Sequence, residues 1–346
     1  MSEFNLIEKY FTRPAPQADL GVGDDAALIS VSAGMQLAVS SDMLVAGTHF
    51  FHDAAPYDIG WKALAVNVSD MAAMGARAKW ATLAIALPQI LPSPSQGEGL
   101  DGGARYVTPT PALPLKEGGS LSEAWLAEFS RGFFACADAF NVDLIGGDTT
   151  KGPLNISVTI MGEVPIGEAL RRDGAQVGDD IWVSGQLGSA ALGLAHLQGK
   201  ITLKNELAIC LKALNTPMPQ AALGLALRGI ATSCIDISDG LLADLGHILK
   251  ASNCGAKIDL EKIPCINLLK NNLDNSEFQT YILAGGDDYE LCFTAPKNRR
   301  EEINLLGKQL NIPVTCIAST RTDTGLQAMY KNNPMTLLKH GFDHFG

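Results

Sequence analysis

Five short stretches of the chain set aspartate beside glycine or serine: GVGDDAA at 21–27, SSDM at 40–43, GGDTT at 146–150, DISDGL at 236–241 and GGDDYEL at 285–291. Any one of them alone is an ordinary Asx turn, because Asp and Gly are default turn residues. Together they pose a physical problem. Clustered carboxylates repel unless cations neutralise them, and hard oxygen donors select Mg²⁺, Mn²⁺ or Ca²⁺. Mg²⁺ takes one or two carboxylates and shares the phosphates of its substrates, so several Asp turns feeding one cleft would suit a multi-metal nucleotide-phosphate site.

The elements that must position these turns are legible in outline. Residues 36–45 read as a strand delivering Asp42 to its C-terminal edge. Residues 59–74 read as a helix with Trp61, Leu64, Ala65, Val68, Met71 and Ala72 on one face, capped by Asp58 and ended by Gly75. Asn67 and Asp70 share a neighbouring face of that helix, which adds a sixth carboxylate site. Further strands are predicted at 80–88, 142–145 and 155–164, and a helix at 122–140 opened by Ser122. The pattern changes near residue 166, so we expect two domains, 1–165 and 166–346. The second begins with a polar turn and a strand, followed by helices over 188–198 and 241–251. Strands and helices alternate without a regular βαβ repeat in that half, which favours α+β layers.

Residues 89–121 stand apart. Five prolines and six glycines preclude a regular element, and the stretch falls between a strand and a helix, where loop closure costs little. It reads as a disordered surface insertion without a catalytic role.

Bulk properties exclude several classes. The 346 residues are 47% hydrophobic with a mean hydropathy of +0.12, which describes a compact globular protein. With 26 basic against 37 acidic residues the net charge is −11, and no basic stripe offers a path to nucleic acid. No apolar run is long enough to span a membrane. The opening MSEFNLIEKYF lacks the basic and apolar regions of a signal peptide. Seven cysteines form no CxxC pair, which implies reduced, packing thiols and a cytoplasmic location.

Residues 21–26 match G-x-G-x-x-A with Asp42 sixteen positions on, but TRPAPQADL before them is no buried strand, so dinucleotide binding is rejected. Gly199-Lys200 is followed by Ile201 and is no Walker A loop, and no H-R-D or D-F-G pair marks a protein kinase. Phosphoryl transfer here needs a less common scaffold.

The order of motifs supplies one. GDDAA, SSD, AGTHF, KALAVNVSDMAAMGA, GGDTT, DISDGL and GGDDYEL, closing on GFDHF, resembles the thiamine-monophosphate kinase family, part of a superfamily of aminoimidazole-ribonucleotide synthetase-like ATP enzymes. The likeness runs from about residue 3 to 345, interrupted only by 89–121. It implies an N-terminal α/β domain forming a sheet or barrel across a homodimer and a C-terminal α+β domain, with ATP and several Mg²⁺ between them. Carried over by position, Asp25, Ser40, Ser41, Asp42, Asp70, Asp148, Asp236 and Asp239 would be metal ligands. Gly147, Asp148, Arg172 and Ser238 would contact ATP, and His49, Asp287 and Phe342 thiamine monophosphate. Family members mostly read GGED where this chain has Gly285-Gly286-Asp287-Asp288, so the substrate acid is one methylene shorter.

The implied reaction needs no protein base. The acceptor is a phosphate monoester with a second pKa of about 6, largely deprotonated at neutral pH. The rival readings are a sister enzyme of the superfamily, or a catalytically silent sensor of nucleotide or thiamine phosphate. A selenophosphate synthetase should carry a reactive Cys near its N-terminal Gly-rich loop, whereas the first here is Cys136. If 89–121 is only an insertion, deleting 92–118 leaves turnover unchanged in a steady-state assay. A large loss would make it a functional lid.

Overall fold

The computed structural model describes residues 3–88, 90–91, 121–335 and 341. Most of the 89–121 stretch, and Phe342, lie outside that set. The elements in chain order are α1 (Glu3–Tyr10), β1 (Met35–Val45), α2 (Pro56–Ala73), β2 (Arg77–Leu87), β3 (Ile90–Leu91), β4 (Leu121–Ser122), α3 (Glu123–Phe140), β5 (Asp143–Lys151) and β6 (Asn155–Pro165). There follow β7 (Asp180–Ser184), α4 (Ser189–Leu197), α5 (Leu207–Asn215), α6 (Ala221–Ala226), β8 (Ser233–Asp236), α7 (Leu241–Ala251), β9 (Gly255–Asp259), α8 (Asn267–Lys270) and α9 (Ser276–Ala284). The chain closes with β10 (Leu291–Ala295), α10 (Arg300–Leu310), β11 (Val314–Arg321), β12 (Gly325–Tyr330) and β13 (Asn333–Pro334).

Two compact units result. One comprises Met1–Ser30, Ser41–Asn67 and Lys79–Ile160; the other comprises Val31–Ser40, Val68–Ala78 and Met161–Gly346. Sheets of four strands (β1-β6-β2-β5) and seven strands (β13-β12-β9-β11-β7-β10-β8) carry them, with β3 and β4 a short parallel pair. Both halves mix helices with sheet, as the α/β plus α+β reading requires.

In the first unit, α3 begins where Ser122 accepts a hydrogen bond from the Trp125 N–H at 3.1 Å and ends at Asn141, a left-handed C-cap. Its Trp125 and Phe129 rings stack at 5.4 Å, and Trp80, Phe129 and Phe133 are fully buried. Helices α2 and α3 meet backbone to backbone. A Cβ on Gly60 would lie 2.1 Å from the Phe129 carbonyl oxygen, and one on Gly132 would lie 1.9 Å from that of Tyr57. Gln17 fastens the N-terminal segment: its N–H donates to Asp143 at 2.7 Å and its carbonyl accepts from the Trp80 indole at 2.8 Å. The segment before Gly21 contains no strand and no helix starts at 21–26, so the dinucleotide motif has no scaffold.

In the second unit, alternation places β-strand side chains on two cores. Ile181 and Val183 of β7, Ile235 of β8 and Cys292 of β10 face one cluster, with Leu241, Leu245, Ile248, Ile282 and Leu283 from α7 and α9. Trp182, Cys234, Leu291 and Phe293 face the other, with Leu223, Ile303 and the end of α2. The sheet is thus covered on both sides, and β7 is buried at every position.

Three local readings need correction. Ser40, Ser41 and Asp42 lie within β1 and not at its C-terminal edge. Gly146, Gly147 and Asp148 lie inside β5, which pairs with β2 through them after a register shift opposite Ala81 and Thr82, with Gly147 at positive φ. Helix α2 starts at Pro56, a residue suited to a first helical position, so Asp58 sits in the first turn and is not the cap. Among the described residues no helix is long and apolar enough to cross a membrane.

The close approach of α2 and α3 predicts that Gly132→Ala destabilises by about 1–3 kcal/mol through overpacking. Gly246, inside α7 with open space where its Cβ would be, behaves oppositely. Gly246→Ala should stabilise by about 0.4–1 kcal/mol. Denaturant unfolding of both variants checks the pair, and equal, small effects would refute the backbone contact.

Candidate active site

Within the second unit, the last turns of α2 gather three of the anticipated residues. Ser40 donates its hydroxyl to Asp70 at 2.5 Å, and Ser69, the neighbour of Asp70, donates to Asp236 at 2.8 Å. Burial raises the Asp70 carboxyl above its ordinary range, against the opposing pull of the Ser40 bond and the Arg172 charge. Asp236 is almost wholly buried at the end of β8, while Arg172 is exposed. Helix α2 stops at Gly75, whose positive φ lets the Ala76 N–H return to the Met71 carbonyl at 2.8 Å. One residue back, the Met74 carbonyl accepts from the Leu170 N–H at 3.0 Å, which ties the approach to Arg172 to the same helix end.

The loop between β8 and α7 carries Ser238 and Asp239. Its N–H groups at Ser238, Asp239 and Gly240 all donate to one oxygen of Asp244, at 3.1, 3.1 and 3.0 Å. Asp244 is 3% exposed. Burial and the nearby Asp239 charge push its carboxyl up to about 7 against these hydrogen bonds.

The loop is joined to the 285–291 turn as a ladder. The Asp287 N–H donates to the Ser238 carbonyl at 2.9 Å, Tyr289 to that of Ile237 at 2.8 Å, and Ile237 in return to that of Glu290 at 2.7 Å. Gly286 is required here, since a Cβ would fall 2.4 Å from the Ser238 oxygen. Asp287 and Tyr289 both adopt left-handed backbone, φ 66° and 50°, a strained state for non-glycine residues. The Tyr289 hydroxyl donates to Asp287 at 3.1 Å. Asp288 accepts the Gly188 N–H at 2.9 Å and so serves the start of α4. Glu290 takes the Ser184 hydroxyl, which itself accepts the Leu291 N–H at 2.8 Å.

The first unit holds the rest. The Asp42 N–H donates to Asn67 at 3.2 Å, and Asn67 returns to the Ala63 carbonyl at 3.0 Å. Ser41 donates to the Val158 carbonyl at 3.2 Å and lies 3.0 Å from the Thr159 hydroxyl. His49 accepts the Val45 N–H on Nδ1 at 3.0 Å. The Asp25 N–H donates to the side chain of Asp24 at 2.8 Å, and Asp25 is exposed. Asp148 is also exposed, and a Cβ on Gly147 would strike the Leu83 carbonyl at 1.9 Å. Asp42 on β1 and Asp148 on β5 occupy opposite edges of the four-stranded sheet. Three strand spacings are about 14 Å, too far for one Mg²⁺ to touch both within a chain.

The donors are uniformly hard oxygens from Asp and Ser, the chemistry Mg²⁺ prefers. By donor type the residues fit a hard cation such as Mg²⁺. Among the described residues no three His, Cys, Asp or Glu side chains form a ready metal cage. Sequence reading missed Ser69, Asp244 and Tyr289. Only Asp244 left a signal, as an acid in the first turn of a helix that follows S-D-G.

Comparison with known proteins gives a consistent pattern. The N-terminal domain of AIR synthase related proteins matches residues 23–164 and the C-terminal domain of the same family matches 176–325. The thiamine-monophosphate kinase of Escherichia coli (strain K12) is 41% identical over 99% of this chain and 98% of its own. A crystal structure of thiamine-monophosphate kinase from Stenotrophomonas maltophilia K279a superposes with a TM-score of 0.78 at 42% identity, covering 94% of each chain. AaThiL complexed with AMPPCP and TMP superposes with a TM-score of 0.72 at 27% identity, covering 99% of this chain and 96% of that one.

Burial pushes the Glu290 carboxyl from an ordinary 4.5 up to about 7, opposed by the Ser184 and Gln220 hydrogen bonds. The folded chain therefore holds this proton more tightly than the unfolded one. The associated stability is present below the unfolded value and is lost as pH rises through the folded value. Thermal melts between about pH 5 and 8 should show wild type losing stability relative to Glu290→Gln. Parallel pH profiles would exclude Glu290 as the source.

Proposed function

The chain belongs to the AIR synthase related family and, within it, to the thiamine-monophosphate kinases, and we propose that it transfers the γ-phosphoryl group of ATP to thiamine monophosphate, yielding thiamine diphosphate and ADP. The observation that carries this reading is the end of α2. There Ser40, Asp70 and Asp236 are collected by two hydroxyl–carboxylate bonds in a chain that matches the Escherichia coli kinase over nearly its whole length.

The acceptor phosphate supplies the nucleophile. One of its oxygens forms a bond to the γ-phosphorus while the bond from that phosphorus to the ADP oxygen breaks. Both partners are anions, so positioning and charge neutralisation are the catalytic task. Gly147, Asp148, Arg172 and Ser238 are assigned to the nucleotide, with Arg172 the cation on its phosphates. Gly147 admits no side chain, because a Cβ there would strike the Leu83 carbonyl of β2. His49, Asp287 and Phe342 are assigned to thiamine monophosphate. The left-handed turn and the Tyr289 hydroxyl hold the shortened acid Asp287 in one orientation. Asp25, Ser40, Ser41, Asp42, Asp70, Asp148, Asp236 and Asp239 would hold Mg²⁺. When bound, Mg²⁺ supplies charge neutralisation to the phosphates. No residue is assigned as general base.

The same reading includes a homodimer. Strand β1 is an edge strand whose Leu37, Val39 and Met43 are 40, 58 and 53% exposed on one face, an apolar edge that natural proteins cover. The cysteines among the described residues are all unpaired, which fits a cytoplasmic enzyme. The two matched family domains, ending at 164 and beginning at 176, support a division near residue 165.

Purified protein with ATP and Mg²⁺ should form thiamine diphosphate from thiamine monophosphate but not from thiamine, and EDTA should abolish it. Asp42→Asn and Asp70→Asn should each lower kcat by roughly 10² or more with the fold intact by circular dichroism. Product from thiamine alone, or no product, would overturn the substrate assignment. Near-normal turnover in either variant would remove that residue from the phosphate and metal machinery.

A further inference from the structure

We propose that Asp244 is a positioning residue for phosphoryl transfer, fixing from within α7 the loop that presents Ser238 and Asp239 and, through the Ser238 peptide, the turn that presents Asp287. This rests on the assignment of those three residues to ATP, metal and substrate.

The loop that leads into α7 brings three successive N–H groups onto one acceptor. A single oxygen of Asp244, in the first turn of the helix, takes those of Ser238, Asp239 and Gly240 at 3.0–3.1 Å. Gly240 makes the geometry possible. Its φ of 117° turns the loop back over the helix, and a Cβ there would meet Ala284 at 2.8 Å.

Two consequences follow. The loop offers a ligand its side chains and not its backbone donors, since those donors are already engaged. Ser238 and Asp239 are half-exposed whereas Gly240 and Asp244 are buried, which is the division of labour this requires. The Ser238 peptide is also held from both sides, its N–H by Asp244 and its carbonyl by the Asp287 N–H at 2.9 Å. Releasing Asp244 therefore loosens two ligand-bearing segments that are about fifty residues apart in sequence.

Two variants separate this role from general stability. Asp244→Ala removes all three acceptor contacts; Asp244→Asn keeps the shape and one acceptor oxygen. Hydrogen exchange on the free protein should show the 238–240 amides exchanging about tenfold faster or more in Asp244→Ala, with a smaller increase in Asp244→Asn. Exchange in β7 and β10 should be unchanged. Calorimetric affinity for the ATP analogue AMPPCP and kcat/KM for ATP should fall by about tenfold or more in Asp244→Ala, partly restored in Asp244→Asn.

The proposal is overturned if the 238–240 amides keep their protection, or if they lose it while AMPPCP affinity stays at the wild-type value. A lowered melting temperature without local exchange or affinity change would also overturn it, as that is purely structural behaviour. Should Asp244→Ala not fold, Asp244→Asn carries the same readouts, and wild-type behaviour in both refutes the role. If wild type does not phosphorylate thiamine monophosphate, the substrate reading fails. The exchange and AMPPCP arms still decide the role of Asp244.

Discussion

The second unit depends on one arrangement: two consecutive residues at the end of α2 each meet an oxygen from another element. Ser69 reaches Asp236 on β8, and Asp70 receives Ser40 from β1. Successive helical residues point about 100° apart, so both contacts hold only if the helix keeps one rotational phase. Tight packing enforces that phase. The Ala72 carbonyl lies where a Cβ on Gly224 would be, at 2.1 Å, so α6 abuts the end of α2 backbone to backbone. The Met74 carbonyl then holds Leu170, two residues before Arg172. A larger residue at 224, or a change in where α2 stops, would disturb hydroxyl, carboxylate and guanidinium together.

A comparable economy governs the loop and turn at the end of β8. Ile237, Ser238, Asp287, Tyr289 and Glu290 exchange backbone hydrogen bonds beyond the regular pairing of β8 with β10. Forcing Asp287 and Tyr289 into left-handed backbone costs free energy, typically about 1–3 kcal/mol for each such residue. The ladder, the Tyr289 hydroxyl and the buried start of β10 together offset that cost. That strain falls on the segment whose acid is assigned to the substrate.

Much of this architecture was legible in the sequence because its signals are local. Ser122 before an aromatic-rich helix, Gly75 after α2, and alternation over 155–164 each act within a turn or a strand, and the structure reproduces them. The aspartate motifs were found by composition, but their placement was misjudged. Asp148 belongs to a strand interior because β5 continues through polar residues that a hydrophobic pattern treats as the end of a strand, and Asp42 lies within β1 short of the edge expected for it. Ser69 was invisible for a different reason. A serine on a helix beside an aspartate has no distinguishing spacing, and its partner Asp236 is 167 residues away. The left-handed state of Asp287 was equally hidden, since the dipeptide Asp-Asp gives no cue that glycine-like backbone is needed.

The Ser40 and Ser69 hydroxyls hold Asp70 and Asp236 in place without contributing charge. Burial raises the Asp70 carboxyl above its ordinary value, against the pull of the Ser40 hydrogen bond and the Arg172 charge. Asp42 and Asp148, set on opposite edges of one sheet, cannot close around a single ion, and the described residues contain no finished cage. On the proposed reading, phosphates would complete the coordination of Mg²⁺ at such a site. Cation affinity and nucleotide affinity would then be coupled, each raising the other by the same factor. For a reaction between two anions that coupling would recruit the neutralising charge where the phosphates meet.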